Sequence, residues 1–254
     1  MLAVFEKSIG KPPKELILPF RGKSHLNSSR EEIAEIYRLW RSDSTFYNLP
    51  NGNFLALSHE DENPAHPRSM VVMDGIFCLF SGYLLNAYDL RRYYGLSRQA
   101  TEAMIVVEVY KVLRDRAPYP PDQVVKELDG KFAFILFDSK VSVLFLARDS
   151  DGCVQLHWGT AADGSLVCTD DPNVISASCG KCYTPFPPGC IFLSGSLLIS
   201  VHYPFHKVRG ISQEDDEGNI NAVIFKVELY TRIHSIRRTG SAENWADVTI
   251  VEGE

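Results

Sequence analysis

The stretch Leu128–Arg148 limits the choice of fold more than any other. After Leu128-Asp129-Gly130 comes the run Lys131-Phe132-Ala133-Phe134-Ile135-Leu136-Phe137. A polar turn at Asp138-Ser139-Lys140 leads into Val141-Ser142-Val143-Leu144-Phe145-Leu146-Ala147. Both runs are short, nearly all apolar, and rich in aromatic and β-branched side chains. Such runs suit strands buried on both faces better than helices, and the polar turn makes them a hairpin. Further strands are predicted at Val154–Trp158, Leu166–Thr169, Ile191–Leu193 and Leu197–Tyr203. An antiparallel sheet buried on both sides has to be covered by helices or by a second sheet.

The flanking chain supplies such covers. Met1–Glu6 reads as a strand, and a strand at a terminus needs anchoring in the core. Ile9–Asn27 is broken by Gly and Pro and reads as loop, with one extended piece at Leu16–Leu18. Ser29-Arg30-Glu31-Glu32 fits a capping box, and Ile33, Ile36, Tyr37 and Trp40 follow at helical spacing. Phe46–Leu49 and Phe54–Leu57 form a hairpin through Pro50-Asn51-Gly52. His59–Pro67 is polar loop, and Ser69–Met73 and Ile76–Leu85 are two more strands. Helices are expected at Asn86–Tyr93, capped by Asn86, at Gln99–Arg114, and for a turn or two at Asp122–Leu128. Beyond an acidic turn at Glu214–Gly218 lies one alternating strand, Ala222–Tyr230, and then a tail without period, expected to be mobile. This order of strands, helices and strands implies an α+β fold with sheets packed on each other and helices outside.

Composition narrows the function classes. The 254 residues are 45% hydrophobic and 23% charged, enough to bury roughly three quarters of the unfolded surface in one or two cores. A net charge of −6 without a Lys/Arg stripe argues against a nucleic-acid partner. The apolar runs fall short of a membrane span, and Met1–Glu6 lacks the basic leader and apolar stretch of a signal peptide. Six cysteines are then expected as free thiols in a reducing compartment, the cytoplasm and also the nucleus. Cys179-Gly180-Lys181-Cys182 has the spacing of half a zinc site. No second such pair or paired histidine follows, and Cys168 and Cys190 would have to converge on it, so ordinary thiols are the expectation. No cofactor is implied.

Several segments together resemble a known family. Leu128-Asp129-Gly130-Lys131-Phe132-Ala133-Phe134, Asp138 and Ala147-Arg148-Asp149 resemble the glutaminase domain of asparagine synthetases, a class II glutamine amidotransferase. Pro187-Pro188-Gly189-Cys190 resembles a segment near that domain's end, and Ser81-Gly82-Tyr83-Leu84-Leu85-Asn86 its oxyanion loop. Within that superfamily, Tyr94-Gly95-Leu96 and Leu113-Arg114-Asp115-Arg116 resemble the two motifs of the plant aluminium-induced, or stem-specific, proteins. The resemblance implies a four-layer αββα sandwich of the N-terminal nucleophile hydrolase type over residues 1–205. Residues 206–254 are then a C-terminal extension with one added strand and the tail. The synthetase half has no counterpart here, so no ATP chemistry is implied.

The resemblance also says where catalysis would sit. In the family a Cys follows the initiator Met, its thiolate attacks the glutamine amide, and its α-amine acts as base. Leu2 stands there, with no nucleophilic atom and a side chain large enough to keep the Met in place. The oxyanion pair becomes Ser81-Gly82, in which Gly82 could still offer its N–H; one lost donor costs about 3–4 kcal/mol of transition-state stabilisation. Asp61 falls where the family's carboxylate-binding Arg is expected, with Arg68 close enough to substitute. Tyr83 replaces a Glu, and Glu102 falls at the acid that receives the substrate amine. The resemblance thus implies an inactive amidotransferase-like protein, responsive to stress or hormone, that serves as a binding or regulatory module. Two rival readings are a sensor of an amino acid or amide at a former glutaminase pocket near Leu2, Ser81, Gly82 and Glu102, and an amide hydrolase with another nucleophile. Possible partners are a second copy of the chain, another protein or a small amide. A sensor needs an open polar pocket near Ser81; a pure interaction module would have that pocket filled by Leu2 and Tyr83. Arg114, Asp115 and Arg116 are expected to tie a helix end to its neighbours by ion pairs.

Overall fold

A computed structural model describes residues 1–17, 28–116, 121–195, 198–214 and 220–228. The chain opens with β1 (Leu2–Phe5), α1 (Lys7–Gly10), a 3-10 turn (Lys14–Ile17) and α2 (Arg30–Trp40). The strands β2 (Thr45–Asn48), β3 (Phe54–Leu57), β4 (Arg68–Met73) and β5 (Ile76–Leu84) follow. Then come α3 (Ala87–Tyr93), α4 (Glu102–Asp115) and α5 (Pro121–Lys126), which precede the central hairpin β6 (Gly130–Asp138) and β7 (Val143–Arg148). Next are β8 (His157–Thr160), β9 (Leu166–Thr169), α6 (Pro172–Cys179) and β10 (Tyr183–Pro185). Last are β11 (Cys190–Leu193), β12 (Leu198–Ser200), β13 (Val208–Glu214) and β14 (Ile220–Val227).

The strands form two six-stranded antiparallel sheets, ordered β10-β8-β9-β1-β3-β2 and β12-β11-β7-β6-β5-β4, plus the hairpin β13-β14. Side chains alternate across each strand, and here both faces find cover. On β6, Ala133, Ile135 and Phe137 enter the core between the sheets. Phe132, Phe134 and Leu136 enter a second core with Ile105, Val109 and Tyr110 of α4. On β1, Met1, Ala3 and Phe5 face the inter-sheet core, whereas Leu2 and Val4 face Ile33 and Tyr37 of α2 and Val174 and Ile175 of α6. The layers are therefore α2/α6, sheet, sheet and α4/α5, an αββα sandwich. The near-continuous apolar runs of β1, β5 and β6 follow from burial on both sides.

Local signals account for many of the boundaries. Ser29 and Glu32 form the reciprocal capping box at the start of α2. Arg114 pairs with Asp115 and with the fully buried Asp138. Arg116 makes no ion pair among the described residues.

The structure corrects several other expectations. Leu16 lies in the 3-10 turn rather than an extended piece, and Leu18 lies outside the described residues. Asn86 precedes α3 without capping it: its side chain reaches Glu127 O (2.8 Å) and Asp129 N–H (3.2 Å) instead. The strand expected from Val154 begins at His157, because Arg148 and Asp149 hold the Val154 backbone in a loop. The helix α6 and the strands β10 and β13 have no counterpart in the sequence reading. The extension supplies two paired strands, not one, and Phe225 of β14 packs on Trp158 at 5.2 Å. The tail expected to be mobile lies outside the described residues.

Candidate functional site

Where β1 starts, three charged groups meet inside the protein. The Met1 ammonium donates to Asp170 Oδ1 at 2.6 Å, and Arg68 Nε donates to Asp170 Oδ2 at 2.7 Å. Each of these side chains is at most 13% exposed. The topology places them: Met1 precedes β1, Asp170 follows its neighbour β9, and Arg68 begins β4 of the facing sheet. Thr169 Oγ1 fixes the terminus further by donating to Met1 O at 2.7 Å. Burial pulls the Met1 amine below its ordinary value, the Asp170 charge partly offsets this, and the Arg68 charge adds to the lowering. The carboxylate between two cations keeps this buried group compensated.

A polar cavity of about 280 Å³ opens beside this trio. Its wall includes Arg68 and Asp170, Ser81 of β5, Asp61, Asn63 and His66 of the loop before β4, and Cys153 and Gln155 of the loop after β7. The volume falls just below the usual range of ligand pockets, about 300–1,000 Å³, and suits a molecule of amino-acid size. The loop over the cavity is folded by its own side chains. Asp43 accepts from Ser58 Oγ, and Glu62 accepts the Arg68 N–H and contacts His59 at 3.0 Å. Arg41, just past α2, reaches both Asp61 and Asp171 at 2.5 Å.

On the far side, Arg148 spans the loop after β7. Its guanidinium donates to Val154 O (2.6 Å), Phe186 O (2.7 Å) and Gly152 O (2.6 Å). Asp149 accepts from the Cys153 and Val154 N–H groups at 3.1 and 3.3 Å. These contacts explain why Arg148 and Asp149 stand where they do: they hold Cys153 and Gln155 at the wall. Asp149, Asp151 and Cys153 bring one ligand atom each within 4.8 Å of one another. Asp149 is already committed to the backbone N–H groups of Cys153 and Val154, so the group fastens the loop. The Cys179–Cys182 pair, expected as ordinary thiols, lies elsewhere, with Cys179 buried at the end of α6 and its thiol pushed up by burial.

Of the anticipated site residues, Asp61 and Ser81 reach the cavity, and so does Arg68. Leu2 does not line it: its side chain is fully buried on the opposite face of β1, against the helices. Gly82 lies beside Ser81 at φ +116, where an added Cβ would sit 2.0 Å from Lys131 O. Its N–H donates to Pro67 O at 3.0 Å, so the backbone donor expected for an oxyanion is occupied. Ser81 Oγ donates to His66 O at 3.3 Å. Tyr83 is half-buried opposite Lys131 and does not fill the cavity. Glu102 stands apart at the start of α4, paired with Arg91 at 3.1 Å. Asp170, Asn63 and Gln155 escaped the sequence reading. The available signal was Asp171-Pro172, a helix start that places Asp170 at a strand end.

Residues 2–227 match a family described as "Aluminium induced protein". Over 149 residues, 58% of this chain and the whole of the relative, the sequence is 70% identical to stem-specific protein TSJT1 of Nicotiana tabacum. Over 91 residues it is 40% identical to a probable glutamine-hydrolysing asparagine synthetase of Dictyostelium discoideum, a match covering 36% of this chain but 16% of that protein. Among solved structures, a glutamine phosphoribosylpyrophosphate amidotransferase from B. subtilis aligns with 70% of this chain and 34% of its own, at 18% identity and a TM-score of 0.41. With residues 2–227 matched, the chain belongs to the aluminium induced protein family, whose sandwich here is of the class II glutamine amidotransferase type.

Proposed function

We propose that this protein is a glutaminase-like module that no longer hydrolyses glutamine and instead binds a small polar molecule, an amino acid or amide, in the cavity beside Ser81. One observation carries the reading: the cavity stays open and polar because Leu2, which stands in for the nucleophile, turns its side chain away into the helix-side core. Asn63, Gln155, Ser81 and the carboxylates offer donors and acceptors of the kind that fix a small ligand's orientation. No thiolate or hydroxyl stands at residue 1 or 2, and Asp170 holds the α-amine. The family description favours a role in the response to stress, with ligand occupancy regulating contact with another protein.

A hydrolytic alternative would rest on Cys153, whose thiol lines the cavity. Thermal-shift screening of amino acids and amides, run beside an ammonia-release assay on glutamine and asparagine, separates the readings. The expected result is stabilisation by at least one compound, lost in Arg68→Met, with no ammonia released. Steady ammonia release abolished by Cys153→Ser would establish the hydrolase in its place.

A further inference from the structure

A separate concave site lies around the Tyr94-Gly95-Leu96 motif. It is a groove of about 510 Å³ lined by Tyr88, Arg91, Arg92, Leu96 and Arg98. The motif builds it. Tyr94 anchors the end of α3 by donating its hydroxyl to Glu127 at 2.9 Å. Gly95 takes the left-handed conformation, φ +66, that lets the chain reverse. Leu96 N–H then closes onto Arg91 O at 2.8 Å, and the reversed chain sets Leu96 and Arg98 across from Tyr88 and Arg92. Arg91 is fixed by Ala100 O at 2.7 Å and by Glu102 at 3.1 Å. Arg92 and Arg98 are exposed, and their side chains make no hydrogen bond or ion pair among the described residues.

We propose that this groove docks an acidic peptide segment of a protein partner, its carboxylates taken by Arg92 and Arg98 and an apolar neighbour laid on Leu96 and Tyr88. Charge complementarity selects the occupant. The chain as a whole carries a net charge of −6, yet three arginines and no carboxylate line this groove, and Glu102 pairs with only one of them, Arg91. Guanidinium groups match carboxylates bidentately. Tyr88, at 67% exposure, and Leu96 add the aromatic and apolar surface that, together with Arg, marks protein interfaces. A lone anion would leave that apolar surface unused.

The test uses a fluorescein-labelled peptide of alternating glutamate and leucine, its lysine-for-glutamate counterpart, and the full chain. Fluorescence polarisation is expected to rise saturably with the glutamate peptide alone and to fall as salt is added. Reversing charge with Arg92→Glu and Arg98→Glu together is expected to weaken binding by at least about tenfold, and Tyr88→Ala by less. Both side chains are exposed, so the melting temperature should not move; the neutral pair Arg92→Gln and Arg98→Gln provides a second reading. The proposal is overturned if no saturable binding occurs, if the reversed protein binds as well as the original, or if the lysine peptide binds equally. Displacement of the peptide by inorganic phosphate alone would also overturn it, by making the groove a small-anion site.

Discussion

Arg148 is the clearest case of a residue whose sequence motif and structural role coincide. The Ala147-Arg148-Asp149 segment stood out as family-like, and the guanidinium proves to be the clasp of three carbonyls around the cavity wall. Arg148→Met would leave three acceptors without a donor at about 1–3 kcal/mol each. A loss of about 3 kcal/mol or more is expected in urea unfolding, and a change under about 1 kcal/mol would contradict the clasp. Gly82 makes a similar case from backbone geometry. At φ +116 and with Lys131 O in the way, Gly82→Ala should cost roughly 3–5 kcal/mol by the same measurement. Ser81 and Asp61 could be placed from sequence because loop and strand were both legible. Leu2 and Glu102 could not. When both faces of a strand are apolar, as in β1, the sequence does not say which face a given side chain takes. Glu102 was assigned by a match along the chain, but its helix starts on the far side of the second sheet, where Arg91 claims it.

At the scale of elements, α6 shows what a pattern search overlooks. Pro172–Cys179 is short and weakly amphipathic, so no helical period rises above the strands around it. Its start signal is nonetheless present: Asp171 accepts from Asn173 and Val174 N–H at 2.9 and 3.4 Å, with Pro172 in the first turn. Burial alone would raise the Asp171 carboxyl, but the Arg41 contact and the two N–H groups outweigh it and hold the carboxyl below 3.8. A depressed carboxyl supplies stability that is present above the unfolded value and is lost as pH falls through the lower folded value. Asp171→Ala is expected to cost about 1–2 kcal/mol at neutral pH. The difference from the original protein should shrink in melts taken at successively lower pH, beginning below 3.8. A difference independent of pH would show that the carboxylate is not what holds the helix. The capping box of α2, by contrast, was readable in four letters, because its partners lie within one turn.

For the whole molecule, the layers were legible because buried strands write themselves as apolar runs, and α2 and α4 carry clear helical faces. The hairpin of β13 and β14 was half legible. Val208–Glu214 is mostly polar, with only Val208 and Ile211 apolar and no strict alternation, and what makes it a strand is its partner. The hairpin belongs to the core, since Phe225 closes over Trp158 and is itself buried. Phe225→Ala should therefore destabilise the entire sandwich by about 3 kcal/mol in a single cooperative transition. A separate early transition would mark the hairpin as an independent unit.

We propose that the sandwich keeps a polar ligand pocket beside Ser81 and does not hydrolyse glutamine. The most direct measurement follows the backbone amide resonances of the isotope-labelled protein while single amino acids and amides are added, with ammonia quantified in the same tubes. The expected result is a saturable shift confined to Asn63, Ser81, Cys153, Gln155 and Asp170 for at least one compound, with the ammonia level flat. No shift at those residues for any compound, or ammonia rising steadily with time, would contradict it.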